Sequence, residues 1–193
     1  MLDEKQSVPV SREEALKLLK SYVHQENLIK HCLATEAIMR SLAERFGEDP
    51  DKWGIAGLLH DLDYEETYEA PEKHGKKTAE ILKEKGFPQD MIDAILAHNA
   101  EALGIERKTR FDLAITCSEC ITGLITATTL VYPDKKLKSV KPKSITKRMK
   151  EKGFARSVNR DLIRLCEKID IPLPEFAAIS LEAMRGIDKE LGL

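Results

Sequence analysis

A chain of 193 residues with 33% charged residues, 5% aromatics and a net charge of −2 is long enough to bury a core of its own, and it predicts one domain. The near-balanced charge leaves no global basic excess for nucleic acid. The four cysteines lack the spacing of a disulfide framework, so reduced thiols and a cytoplasmic location are expected. No apolar run approaches the roughly 20 residues of a membrane span, and Met1 to Arg12 lacks the apolar centre of a signal peptide.

The periodicity is helical nearly throughout, which predicts an all-α fold. Ser11 with Glu14 reads as a capping box that opens a helix carrying Ala15, Leu18 and Leu19 towards Tyr22. A longer helix runs from about Glu26 to Phe46 and stops before Gly47. Trp53 to His60 forms a short apolar helix, and after a polar loop a fourth spans roughly His74 to Lys85, ending at Gly86. Pro88 suits the first turn of the next, which reaches about His98. Arg110 to Val131 is the most apolar long helix and should be central, with Tyr132-Pro133 breaking it. Helical segments resume near Lys143 to Lys152, Asn159 to Ile169 and Pro174 to Leu191.

Four of the five histidines fall where an imidazole would point inwards. His31 shares its stripe with Ala34, Ile38 and Leu42, one face of a helix. His98 lies on the face of Met91, Ala94 and Ile95, and His74 stands at a helix start before Thr78 and Ile81. His60 and Asp61 close a helix of apolar residues, and neighbouring helical side chains diverge by about 100°, so the pair can take adjacent positions around one cation. An unpaired buried ring is costly. Any one of these histidines alone reads as a core or capping residue; together with Asp61 they predict a metal site. Imidazole plus carboxylate suits Fe, Mn, Co, Ni or Zn, with Mg as a further option, and lacks the thiolates of structural zinc. The ligands exceed the needs of one hydrolytic metal, so one or two ions per chain are expected, with Asp61 bridging. His24 has no matching context and reads as a surface or capping residue.

The segments Asn27-Leu28-Ile29-Lys30-His31, Gly57-Leu58-Leu59-His60-Asp61, Pro71-Glu72-Lys73-His74-Gly75, Ile95-Leu96-Ala97-His98 and Glu119-Cys120-Ile121-Thr122-Gly123-Leu124-Ile125 resemble, in that order, the HD-domain phosphohydrolase superfamily. The resemblance covers about residues 24–131 and leaves 132–193 as a helical extension of a single HD-type domain. It implies a helical bundle around a central metal site and hydrolysis of a phosphate ester by metal-activated water. It assigns ligand roles to His31, His60, Asp61 and the last acidic position, with His74 and His98 completing a second site in two-metal members. The family usually carries Asp at that last position, where this chain has Glu119. Asp112, seven residues earlier on a similar face, is the alternative. Asn99 stands where the cyclic-dinucleotide branch has a second histidine, which argues against that branch.

In this reading Asp61 is both ligand and catalytic group. Asp63 either orients a ligand histidine, accepts a proton or serves as an ordinary loop acid. Lys30, Lys76 and Lys77 lie near enough to meet a phosphate or to be plain surface lysines. Cys117-x-x-Cys120 falls on one apolar face with Leu113 and Leu124 and reads as packing. The basic stretch Lys135 to Arg160 has one aromatic, Phe154, and reads as solvated helix faces. The expected partner is a small phosphorylated substrate such as a nucleotide, with neither nucleic acid nor membrane. An HD-type di-iron oxygenase and a non-catalytic ligand or nucleic-acid binder are the competing classes.

Overall fold

The computed structural model describes residues 7–193 and has no strand among them. In chain order the helices are α1 (Arg12–Tyr22), α2 (Glu26–Phe46), α3 (Pro50–Leu59), α4 (Tyr64–Thr67), α5 (Lys76–Glu84), α6 (Gln89–His98), α7 (Ala100–Leu103), α8 (Arg110–Leu130), α9 (Pro142–Arg148), α10 (Arg160–Ile163), α11 (Leu173–Arg185) and α12 (Asp188–Leu191). Their ends follow local chemistry. Ser11 and Glu14 cap α1 reciprocally, and Thr109 and Asp112 do the same for α8. Asp49 accepts the first free N–H groups of α3, ahead of Pro50. Gly47, at φ +68°, ends α2 in the left-handed conformation.

Helix α8 is the hub, packed against α2, α3, α6, α9, α10 and α11. It is also long and apolar enough, by length and composition, to cross a membrane: 21 residues, with a mean hydropathy of 1.4 in its most apolar window. The expectation that no run reaches span length is therefore corrected. That window is 61% buried in the bundle, as befits a core helix with neighbours on most sides.

Helix α3 packs tightly on α2. A Cβ at Gly57 would lie 3.0 Å from the backbone of Thr35 and Glu36, so only hydrogen fits there, and the end of α3 is drawn down beside His31. Glu36, buried in α2, accepts from Arg12 Nε at 2.7 Å and Nη2 at 3.0 Å, and from Arg40 Nε at 2.9 Å. These charge-assisted bonds tie α1 to the same pair of helices.

The C-terminal third departs from the sequence expectation. The predicted helix over 143–152 ends at Arg148. That over 159–169 is one α-turn followed by a 3₁₀ segment, Arg164–Ile169. Its buried residues Ile163, Cys166 and Ile169 step by three, the repeat that a three-residue turn stacks in one row. The long terminal helix breaks after Arg185 into α11 and α12. Residues 151–159 form an irregular loop held from inside by Arg160. Its guanidinium donates to the carbonyls of Ala155 (3.0 Å), Val158 (2.8 Å), Glu151 (3.2 Å) and Phe154.

Candidate metal centre

Five side chains from four parts of the chain meet beside α8. His31 comes from the second turn of α2, His60 caps the end of α3 and Asp61 follows it. His74 stands one residue before Gly75, whose φ of +90° turns the chain into α5. His98 is the last residue of α6. Each ring is fixed by its Nδ1. That of His60 donates to the Gly57 carbonyl at 2.8 Å, that of His98 to the Ile95 carbonyl, and that of His74 to Asp63 Oδ1 at 2.8 Å. His31 Nδ1 lies 2.9 Å from Thr122 Oγ1. The Thr122 hydroxyl already donates to the Glu119 carbonyl at 2.7 Å, so it accepts from His31. With every Nδ1–H committed, all four Nε2 atoms face a common centre.

The Nε2 atoms of His31 and His60 are 3.2 Å apart, and His31 Nε2 is 3.6 Å from Asp61 Oδ2. On the other side, the Nε2 atoms of His74 and His98 are 2.8 Å apart, at 3.2 and 3.6 Å from Asp61 Oδ1. His60 Nε2 lies 3.4 Å from that same oxygen. Donors about 2.0–2.1 Å from one ion, separated by the angles of an octahedron or tetrahedron, sit roughly 2.9–3.4 Å from each other. The observed edges, 2.8–3.6 Å, lie close to that spacing. They form two trios, His31, His60, Asp61 and Asp61, His74, His98, which share Asp61. The donor set thus fits one or two divalent ions, and the identity of the metal is left open by the chemistry of imidazole and carboxylate.

The electrostatics agree. Burial alone would raise the Asp61 carboxyl, but His60, His74, His31 and His98 hold it well below the usual range. Burial pushes the His31 imidazolium down to about 4 and that of His98 to about 3, so both rings are neutral, as ligands must be. Burial also disfavours charge on His74, yet hydrogen bonds to Asp61 and Asp63 raise it to about 9. In the absence of an ion, the His74 proton supplies the positive charge that the cluster calls for.

Asp63 works one layer further out. Fully buried, it accepts from His74, from Gly75 N–H at 2.9 Å and from Thr78 N–H at 3.0 Å, fixing both the ring and the start of α5. Asp112 is spent at the other end of α8. Its carboxylate accepts from Lys108 N–H, Thr109 N–H and Thr109 Oγ1 at 2.6–3.0 Å. Glu119 belongs to neither trio but lines the same cavity. It accepts from Cys120 Sγ at 2.7 Å, and burial raises its carboxyl to about 8. Cys117 is buried and bonded to the Ala114 carbonyl. Lys30 pairs with Glu26 and Lys77 with Glu66, while Lys76 is exposed. His24 is exposed, its N–H donating to Glu65. Thr122 and Asn99 were not singled out as contributors from sequence. Asn99 Nδ2 donates to the carbonyls of Pro71 (2.8 Å) and His74 (3.0 Å) and so anchors the His74 segment.

The cluster opens into a cavity of about 500 Å³. Asn27, Tyr64, Asn99, Glu101, Ser157 and Asn159 are among its walls, and among the described residues no lysine or arginine lines it. Tyr64 presents its ring to the ring of His74 edge-on, centroids 5.3 Å apart.

Residues 28–122 match the HD domain family model. Among curated proteins, the chain is 31% identical over 98 residues to Ribonuclease Y of Nitratidesulfovibrio vulgaris (strain DP4), covering 51% of this chain and 18% of that protein. It is 27% identical over 100 residues to Ribonuclease Y of Lawsonia intracellularis, covering 52% and 19%. Against Ribonuclease Y of Rubrobacter xylanophilus it is 24% identical over 181 residues, 92% of this chain and 34% of the relative. The chain therefore spans no more than about a third of the length of these relatives. No solved structure matched. The family match spans all five clustered side chains; residues 28–122 form an HD domain.

Proposed function

We propose that the protein hydrolyses a phosphate ester of a nucleotide or another small phosphorylated metabolite, with one or two divalent cations held by His31, His60, Asp61, His74 and His98. The observation that carries this reading is the convergence of four Nε2 atoms and both Asp61 oxygens, with every Nδ1–H already committed. Cations held there supply acidified water and neutralise charge on the phosphoryl oxygens. The chain contributes the rest. Asp61 keeps a full negative charge between the two trios, and Asp63 and Thr122 hold the His74 and His31 rings in register. Glu119, whose carboxyl is protonated up to about pH 8, can donate a hydrogen bond into the cavity or, with a cation beside it, ionise and join the ligands.

A cavity of about 500 Å³ with no lysine or arginine among the described residues of its walls suits a small ester whose charge is met by the cations, rather than a polyanion tracked by basic side chains. A cytoplasmic setting belongs to the same proposal and is supported by four unpaired cysteines.

The test is metal content by elemental analysis, followed by turnover of phosphomonoesters, phosphodiesters and nucleotides with Fe, Mn, Co, Ni, Zn and Mg. One or two ions per chain are expected, with turnover at least a hundredfold lower in His60→Ala. Glu119→Ala decides whether that residue is a ligand: loss of one bound ion assigns it, and unchanged metal content removes it. Because the relatives carry the name Ribonuclease Y, a short oligoribonucleotide belongs in the panel. Its cleavage without turnover of any small ester would replace this reading. A protein that stays free of metal and inert with every cation would refute it.

A further inference from the structure

A second cavity, of about 520 Å³, lies on the other side of His31. The two share four wall residues, Asn27, His31, Thr122 and Gly123, so they meet across the His31–Thr122 hydrogen bond that orients a metal-facing ring. The second cavity is graded in polarity. Asn27, Lys30, Thr122 and Thr126 supply its polar groups, whereas Ala34, Ala127, Leu130, Leu191 and Leu193 are apolar. Its α8 wall runs from Thr122 to Leu130, eight helical rises or about 12 Å. At the far end Leu130 keeps 49% of its surface open, and the facing wall comes from residues 191–193. Those residues, like Ser157, Val158, Asn159 and Leu162 of the first cavity, lie outside the family match. The HD domain provides the donor atoms, and the C-terminal extension shapes what can lie beside them.

We infer that the second cavity holds the organic part of the substrate, and that this part is largely apolar: an alkyl or aryl phosphate ester whose phosphate sits at the clustered imidazoles and whose chain passes His31 and Gly123 towards Leu130. This rests on the hydrolase reading and narrows its substrate class. A sugar or a second phosphate reaching past Lys30 would leave its polar groups against Ala127 and the three leucines, where burying an unpaired polar group is unfavourable. An alkyl chain gains up to about fourfold in affinity for each methylene removed from water.

The probes are methyl, butyl and octyl phosphate with the manganese-loaded protein, read by phosphate release and, separately, by the shift in Tm that each ester produces. The ratio of kcat/KM for octyl over methyl phosphate should exceed about tenfold. It should collapse towards one in Ala127→Trp, which fills the cavity at mid-length. Leu130→Trp, at a half-exposed position that tolerates the change, should blunt the gain from butyl to octyl while keeping that from methyl to butyl. Methyl phosphate turnover with no length dependence, or a length dependence untouched by both tryptophans, overturns the inference and leaves the hydrolase standing. Absence of turnover for all three esters leaves the hydrolase reading to the wider panel of phosphodiesters and nucleotides. In that case a Tm shift by octyl but not methyl phosphate, lost in Ala127→Trp, still supports the cavity assignment, and equal or absent shifts overturn it.

Discussion

Thr122 has one hydroxyl proton, and it goes to the Glu119 carbonyl; that small fact decides which nitrogen of His31 faces the cluster. Thr122→Val keeps the shape and removes the acceptor. Metal affinity, measured by competition with a chromophoric chelator, should fall about 10–100-fold, the usual consequence of losing such a partner, and Thr122→Ser should restore it. His74 sets the pH dependence. Its imidazolium, ordinarily near 6.5, is raised to about 9 by Asp61 and Asp63, and an incoming cation must displace that proton. Metal affinity should therefore rise as pH climbs towards about 9 and then level off. In metal-free protein the sign reverses: the charged His74 stabilises the fold fully below about 6.5, and that contribution is lost as pH rises through about 9. Melting curves in chelator should show the loss, and His74→Ala should abolish it. The sequence shows why only part of this was foreseeable. His31 and His98 lie on apolar stripes, so their inward direction follows from spacing. The acceptors that orient the rings are backbone carbonyls of Gly57 and Ile95, and every residue has one, so no pattern marks them. The doubt between Glu119 and Asp112 had the same origin, since only the fold reveals that Asp112 is consumed as a helix cap.

The end of α3 brings His60 and Asp61 up to His31 because Gly57 lets the helix settle onto α2. In Gly57→Ala the added methyl would meet the Thr35 and Glu36 backbone at 3.0 Å, and backbone cannot swing aside as a side chain can. Overpacking of this kind costs about 1–3 kcal/mol. Urea melts should show that loss, together with weakened metal binding, since the His60–Asp61 pair is displaced with the helix. A glycine in mid-helix, destabilising in isolation, is explained by this contact, which is invisible until α2 is placed beside it. Helix boundaries were otherwise readable wherever caps are written in side chains: Ser11 with Glu14, Gly47 after Phe46, Pro88 before α6. They failed from Lys143 onwards, where irregular loops and a 3₁₀ segment replace long helices. There, burial every three residues and a guanidinium bonded to carbonyls, rather than helical propensity, decide the path.

Across the whole molecule, burial of four imidazoles and a carboxylate at one point is tolerable only if something positive joins them. An ion that binds the folded chain alone stabilises it by about 2.7 kcal/mol at a hundred times its dissociation constant. Tm should thus rise on adding manganese and fall on chelation, and the rise should vanish in a variant lacking His60 and His98. Such a readout needs no substrate.

The Arg160 guanidinium, gripping four carbonyls of the loop over 151–159, gives this wall of the first cavity a different mechanical footing from the histidine cluster. Val158 of that wall is bonded directly to this one planar head group, with Ser157 and Asn159 on either side of it, and a lysine cannot imitate the fork. None of the five clustered side chains bonds to it. In Arg160→Lys the discrimination among esters should relax while metal content stays as it was. Chemistry and choice of substrate are then separately adjustable, and selectivity can drift from one ester to the next without the catalytic centre being rebuilt.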